Sequence, residues 1–321
     1  MRKILNISDI NKIKTYRILC FLFFIIFITR SHTFFNDYYD RDELANIVHA
    51  VYSVKNNKKM KWPYGQPANV FYYYSQKVFG YFNWRILHFI AVLLIFASSC
   101  MVYFSVLILT DKKTAVISAF FYSLFMGIGF RDLYVLNAEI IFNFYISVSF
   151  LFFILAEFKD NRFYYRVGFW LISLLFAFLA FKTKMHAKFY LLFFFVYPFI
   201  KINNKKKNIY LLSGVVISGF VFILIDSAFL ESKFTNYIFS LSKEAISYIT
   251  SEKLSIKFVL ARLGFAFIFL FFIQFSVWWL ALKGLFHKNV YGLDKLKLNT
   301  LRVFFIVSFI PALSTLRMFP H

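Results

Sequence analysis

Four carboxylates fall within seven positions in the string Asp37-Tyr38-Tyr39-Asp40-Arg41-Asp42-Glu43, in a chain of 321 residues that holds only 15 Asp or Glu. An ionised carboxylate beside a membrane can take a proton from an acceptor hydroxyl, or hold a divalent cation near a phosphate. A helix opening at Glu43 and running through Leu44, Ala45, Ile47 and Val48 would put Asp42 near its N-terminus, where the helix dipole keeps a carboxylate ionised. The same positions also suit Asp40 or Asp42 as a plain helix cap.

Two further strings carry chemistry-bearing side chains. Arg131-Asp132 precedes Asn137-Ala138-Glu139, and Glu139 stands at the mouth of an apolar run, a costly place for a charge that lacks a purpose or partner. An Arg131–Asp132 surface pair, with Glu139 stabilising a helix N-terminus, accounts for it equally well. Lys182, Lys184, His186 and Lys188 crowd one short loop. They suit a phosphate or pyrophosphate headgroup, and equally lysines that snorkel from a helix end. His186 has no Cys or His at metal-ligand spacing, so it does not read as a zinc site. No GxGxxG, GxxxxGK or GxSxG string occurs, which speaks against nucleotide hydrolysis and against a conventional serine hydrolase.

The elements that must hold these residues are set by composition. The chain is 60% apolar and 23% aromatic, with 49 Phe, more apolar surface than a soluble domain can hide. The apolar residues come in blocks long enough to cross a hydrocarbon core. The expected fold is all-α, a polytopic transmembrane helical bundle of about nine spans, with short outer-face juxtamembrane helices in the first outer loop. The formal charge of +22 is read as loop Lys and Arg that orient helices and meet anionic lipid, with no nucleic-acid partner. Cys20 and Cys100 each sit inside an apolar run and read as packing residues, outside any disulfide.

In order, residues 1–17 form a basic cytoplasmic leader, and helix one covers about 18–35. A polar and aromatic outer loop spans 36–84 and carries Trp62, Tyr64, Tyr72, Tyr73, Tyr74, Tyr81 and Trp84. Further helices follow over about 85–109, 114–130 and 140–157, then one ending near 181, one ending at 201, and others over about 209–229 and 258–282, with the last ending at Arg317. Lys and Arg gather in the strings 111–113, 159–166 and 201–207. This places the N-terminus in the cytoplasm of a cell (inner) membrane, and any chemistry on the periplasmic, outer face. The excess of Phe, Ile, Lys, Asn and Tyr points to an AT-rich bacterial source.

The order of these pieces resembles the polytopic glycosyltransferases that use polyprenyl-phosphate-linked sugars, the protein O-mannosyltransferase and aminoarabinose-transferase superfamily with its bacterial surface-glycan members. Asp42-Glu43 follows helix one as that family's acidic pair does. Trp62-Pro63-Tyr64-Gly65-Gln66-Pro67, Val78-Phe79-Gly80 and Arg85 resemble its proline-bearing loop, its "lfG" and the Arg that opens helix two. Asn137-Ala138-Glu139, Thr183-Lys184 and Arg317-Met318-Phe319-Pro320-His321 resemble its later acidic, Thr-Lys and Arg-x-x-x-His stretches. Glu139 stands where many members have Asp, and Gln66 interrupts the usual His-Pro-Pro-like string.

The resemblance implies a glycosyltransferase domain over 18–317, with 36–84 its outer catalytic loop. It implies that Asp42 takes the acceptor proton, that Glu43 orients it, and that Glu139 assists or helps hold a metal where one is used. Lys184, Arg317 and His321 would bind the donor phosphate. The implied partners are a polyprenyl-phosphate sugar donor, a glycan or lipid acceptor and membrane lipids. No cofactor is required outright, and a divalent cation stays open. Family members continue beyond the Arg-x-x-x-His stretch, so 318–321 is expected to be a truncated outer-face end. The rival readings are a polysaccharide polymerase or ligase, a flippase of lipid-linked glycan, and an inactive remnant.

Overall fold

A computed structural model of the chain describes residues 12–31, 41–58, 66–128, 136, 138–159, 162–183, 190–191, 193–194, 196–197 and 294–304. All regular structure among them is helical. The chain divides into two compact units, Met1–Lys188 and Phe189–His321. In the first unit the helices are α1 (Lys12–Arg30), α2 (Arg41–Lys55), α3 (Gln66–Phe79), α4 (Trp84–Leu109), α5 (Lys112–Ile128), α6 (Ala138–Phe158) and α7 (Phe163–Thr183).

Three helices are long and apolar enough to cross a membrane: Trp84–Leu109, Glu139–Phe158 and Phe163–Thr183. The nine expected spans therefore reduce to three among the described residues. The helices expected to end at 201 and to cover 209–229 and 258–282 lie mostly or wholly outside those residues. Helix α1 begins six residues before the expected start at 18, because Lys12 and Lys14 are good helix formers that extend the ladder. With Arg17 and Arg30 they also give α1 too many charges for a clean span.

The turn between α4 and α5 is Thr110-Asp111. The Thr110 backbone N–H returns to the Val106 carbonyl (2.7 Å) and so ends α4. Asp111 starts α5. Its Oδ1 accepts the Lys113 and Thr114 backbone N–H groups (2.8 and 3.0 Å), and its Oδ2 accepts the Thr114 hydroxyl (2.7 Å). Hydrogen bonds from the Thr114 side chain and then its backbone hold the Asp111 carboxyl below the ordinary carboxylate range. A lowered folded value means that the capping contribution is present at neutral pH, above the unfolded value, and is lost as pH falls through the folded one. Asp111→Ala is expected to speed amide exchange at Lys113 and Thr114 at neutral pH, where the parent's ionised carboxylate still holds both N–H groups. Equal exchange in parent and variant at neutral pH would remove the capping role.

Helix α4 is central, packing on α1, α3, α5 and α6, while α6 and α7 pair along their length. Their antiparallel register can be read off the contacts. Tyr145 meets Phe176 (5.9 Å), Phe153 meets Trp170 edge to face (5.3 Å), and Glu157 meets Arg166 (3.0 Å). Mid-helix, the Ser149 hydroxyl donates to the Ser173 carbonyl, and the Ser173 hydroxyl donates to the Ser149 carbonyl, each at 2.7 Å. Both serines are fully buried. Small residues let the two backbones approach, and the paired hydroxyls satisfy each other away from water. Ser149→Val is expected to cost about 1 kcal/mol, read as a lower unfolding midpoint in mild detergent; an unchanged midpoint would show that the pair only fills space.

In the second unit, Tyr190, Phe193, Phe194 and Tyr197 are buried. Phe304 sets its ring edge-on to Tyr190 and Phe193 at 5.9 and 5.7 Å. Residues 295–304 form a helix, α8, whose start is capped by Asp294 Oδ1 accepting the Lys297 N–H at 2.9 Å.

Candidate functional site

One buried cluster gathers the ends of most helices of the first unit. It joins Ile26 of α1, Ile47 and Val51 of α2, Ala68 and Tyr72 of α3, Leu87 of α4, Ile140 of α6 and Ala180 of α7. These are the last turns of α1 and α7 and the first turns of α4 and α6, so one end of the helical array is closed by α2 and α3. The connection is firm at α3, where the buried Tyr72 hydroxyl donates to the Leu136 carbonyl just before α6.

The corner from α3 into α4 is built by Gly80 (φ 91°), a conformation that favours glycine, and by Phe82 (φ 57°). The Gln76 side chain holds that corner by accepting the Phe82 N–H at 2.6 Å. Asn83 caps α4 by accepting the Ile86 N–H at 3.3 Å. Pro67 stands in the first turn of α3, where a missing N–H breaks no helical bond.

The helices that carry the expected acids, α2 and α6, both contribute to this cluster. Asp42 and Glu43 stand in the first turn of α2, which opens at Arg41. Asp42 is thus inside the helix rather than at its cap. The two precede the buried Asn46 in the sequence by four and three positions. Glu139 occupies the first turn of α6, half-buried, next to Ile140 of the shared cluster. Lys182 closes α7 at the same end. Lys184, Arg317 and His321 lie outside the described residues, as do Arg131, Asp132, His186 and Lys188. Among the described residues, no group of three His, Cys, Asp or Glu is placed to hold a metal, and Cys20 and Cys100 are free thiols.

Sequence reasoning missed several polar groups here. Arg30 ends α1 with its side chain fully buried, and its positive charge acts on the hydroxyl of Tyr122 in α5. Ser98 and Ser147 stand beside that hydroxyl, yet their own hydroxyls donate to the Leu94 and Asn143 carbonyls. Asn46, Asn69 and His88 are also buried. The signal for Arg30 was present, since a cation at the inner edge of an apolar run is expensive unless it is placed for a reason. Asn46 gave no such signal, because an Asn in a polar loop is ordinary until the loop is folded inward.

The class defined by these features is a helical protein with, among the described residues, three helices able to cross a membrane, and with α2 and α6 sharing one buried cluster. No family model, curated protein or solved structure matches the chain.

Proposed function

We propose that this chain is a multi-pass inner-membrane glycosyltransferase that moves a sugar from a polyprenyl-phosphate donor to a surface glycan or lipid acceptor. Its active site is the end closed by α2 and α3, facing the periplasm. The observation that carries the reading is that α2, which starts with Asp42-Glu43, and α6, which starts with Glu139, pack into one buried cluster.

In this reading the Asp42 carboxylate takes the acceptor hydroxyl proton while the acceptor oxygen bonds to the anomeric carbon. The bond from that carbon to the phosphate oxygen breaks with inversion. Glu43 orients Asp42, and Glu139 assists from α6. The leaving polyprenyl phosphate carries growing negative charge, which Lys184 offsets; a cation aimed at developing charge acts mainly in the transition state. A divalent cation bound near Glu139 would supply further charge at the phosphate, and none of these steps depends on it. The two-helix lid over the site accords with a need to keep water from an activated anomeric carbon.

The test is incorporation of labelled sugar from synthetic polyprenyl-phosphate donors by membranes holding the full chain, parent beside Asp42→Asn. Transfer by the parent that vanishes in the variant is expected. A parent that inserts and folds yet transfers nothing from any donor overturns the reading.

A further inference from the structure

Helices α2 and α3 turn apolar rows outward as well as inward, unlike the helices of a water-soluble pair. Their exposed stripes are apolar, Leu44, Val48 and Tyr52 on α2 and Val70, Tyr74 and Val78 on α3, each set spaced four residues apart. Val78 is 66% exposed and Tyr52 57%. Their buried faces add polar groups to the apolar side chains of the cluster, with Asn46 and Ser53 on α2 and Asn69, Ser75 and Gln76 on α3. Asn46 Oδ1 and Asn69 Oδ1 find no hydrogen-bond partner among the described residues. Water on the outer face would reverse this arrangement, since exposed apolar rows are costly and buried amides more so.

Charge identifies what the outer face meets. From Leu44 to Arg85 the sequence has six cations (Lys55, Lys58, Lys59, Lys61, Lys77 and Arg85) and no Asp or Glu. Lys55 and Lys77 lay their side chains over the rings of Tyr81 and Tyr73, ammonium to ring centre 5.2 and 5.9 Å. Stems that follow aromatic surface and end in a cation suit the boundary between acyl chains and phosphate headgroups. Helix α3 also packs directly on α4 and α7, two of the helices able to cross a membrane, so its outer face continues theirs.

We propose that α2 and α3 form a lipid-inserted collar. The Leu44-Val48-Tyr52 and Val70-Tyr74-Val78 stripes lie among acyl chains, and the surrounding lysines rest on anionic phospholipid headgroups. This rests on the membrane reading above and is independent of glycosyl transfer. The collar would bring a lipid-borne substrate to the acidic helix starts by lateral movement within the leaflet, without passage through water.

The test uses the full chain in vesicles of phosphatidylethanolamine and phosphatidylglycerol, with a spin label at Val48→Cys or Val78→Cys on a Cys20→Ser, Cys100→Ala background. The control label sits at Asn56→Cys, an exposed polar position that ends α2. Labels at 48 and 78 are expected to collide with oxygen several-fold more than with an aqueous nickel chelate, and the label at 56 the reverse. Equal nickel access at all three positions overturns the collar. So does an immobilised label reached by neither agent, which would mean that another copy or another segment of this chain covers the stripe. Replacing phosphatidylglycerol by phosphatidylcholine is expected to move the labels toward water; unchanged depth overturns the headgroup contact. Protein that is not retained in vesicles at all refutes the membrane reading itself. Should the cysteine-free background unfold, Val78→Trp in the native-cysteine chain answers the same question. Quenching of its added fluorescence by lipid brominated near the headgroup supports insertion, and none overturns it.

Discussion

An Asp42→Asn chain is expected to lose at least about a hundredfold in sugar transfer while folding and inserting as the parent does. The substitution separates two explanations that the sequence leaves side by side. Asn is as good a helix cap as Asp, so a carboxylate that only caps α2 can be replaced by an amide with no effect. A base cannot, because a neutral amide accepts no proton. The helix opens at Arg41 and places position 42 in its first turn, so little stability is at stake and the readout is catalytic. Glu43→Gln and Glu139→Gln are expected to cost less, since each acts through or beside Asp42. Residual transfer by Asp42→Asn at the parent rate would end the assignment of the base, whatever the parent's substrate proves to be.

Replacing Glu157 by Ala is expected to cost roughly 2 kcal/mol of stability. The Glu157 side chain is fully buried, while its partner Arg166 is 43% exposed. The carboxylate accepts the Arg166 Nη2 at 3.0 Å and the buried Trp170 Nε1 at 2.8 Å. Arg166 can turn to water when the pair is broken, so its share is small. Trp170 is held by ring contact with Phe153 and cannot, so its indole N–H loses a bond inside the protein. Glu157→Gln keeps an acceptor for Trp170 and should lose about half as much. The converse change, Arg166→Ala, takes the cation from a buried carboxylate and is expected to match Glu157→Ala. Thermal unfolding in mild detergent, with all three variants against the parent, decides. A Glu157→Gln variant as damaged as Glu157→Ala would show that charge, rather than the indole bond, holds this end together.

Helix boundaries at α4, α6 and α7 were legible because long apolar blocks between charged strings leave few alternatives for where a helix runs. The expected 85–109 and 140–157 differ from the observed helices by one or two residues. Less was legible at α1, where favourable propensity carries the helix back to Lys12 across a string that reads as a polar leader. In the 36–84 stretch the expectation of one or two short helices is met by two, α2 and α3. Their direction of burial could not be read, since the stretch is mixed enough to support either face turned inward.

The sequence alone determined the class of this protein. Composition forces helices, block lengths set where they run, and the Asp42-Glu43 and Glu139 acids are visible as charges at helix starts. Only the tertiary structure decided which of those starts share an end, that Arg30 is enclosed beside Tyr122, and that Asn46 and Asn69 turn inward while Val48, Tyr52, Tyr74 and Val78 turn out. The physical reason is one of range. Hydrophobic content and local propensity act within a few residues and are written in the string. Which face of a helix is enclosed depends on what packs against it from the far side of the molecule, here α4, α6 and α7 closing on α2 and α3.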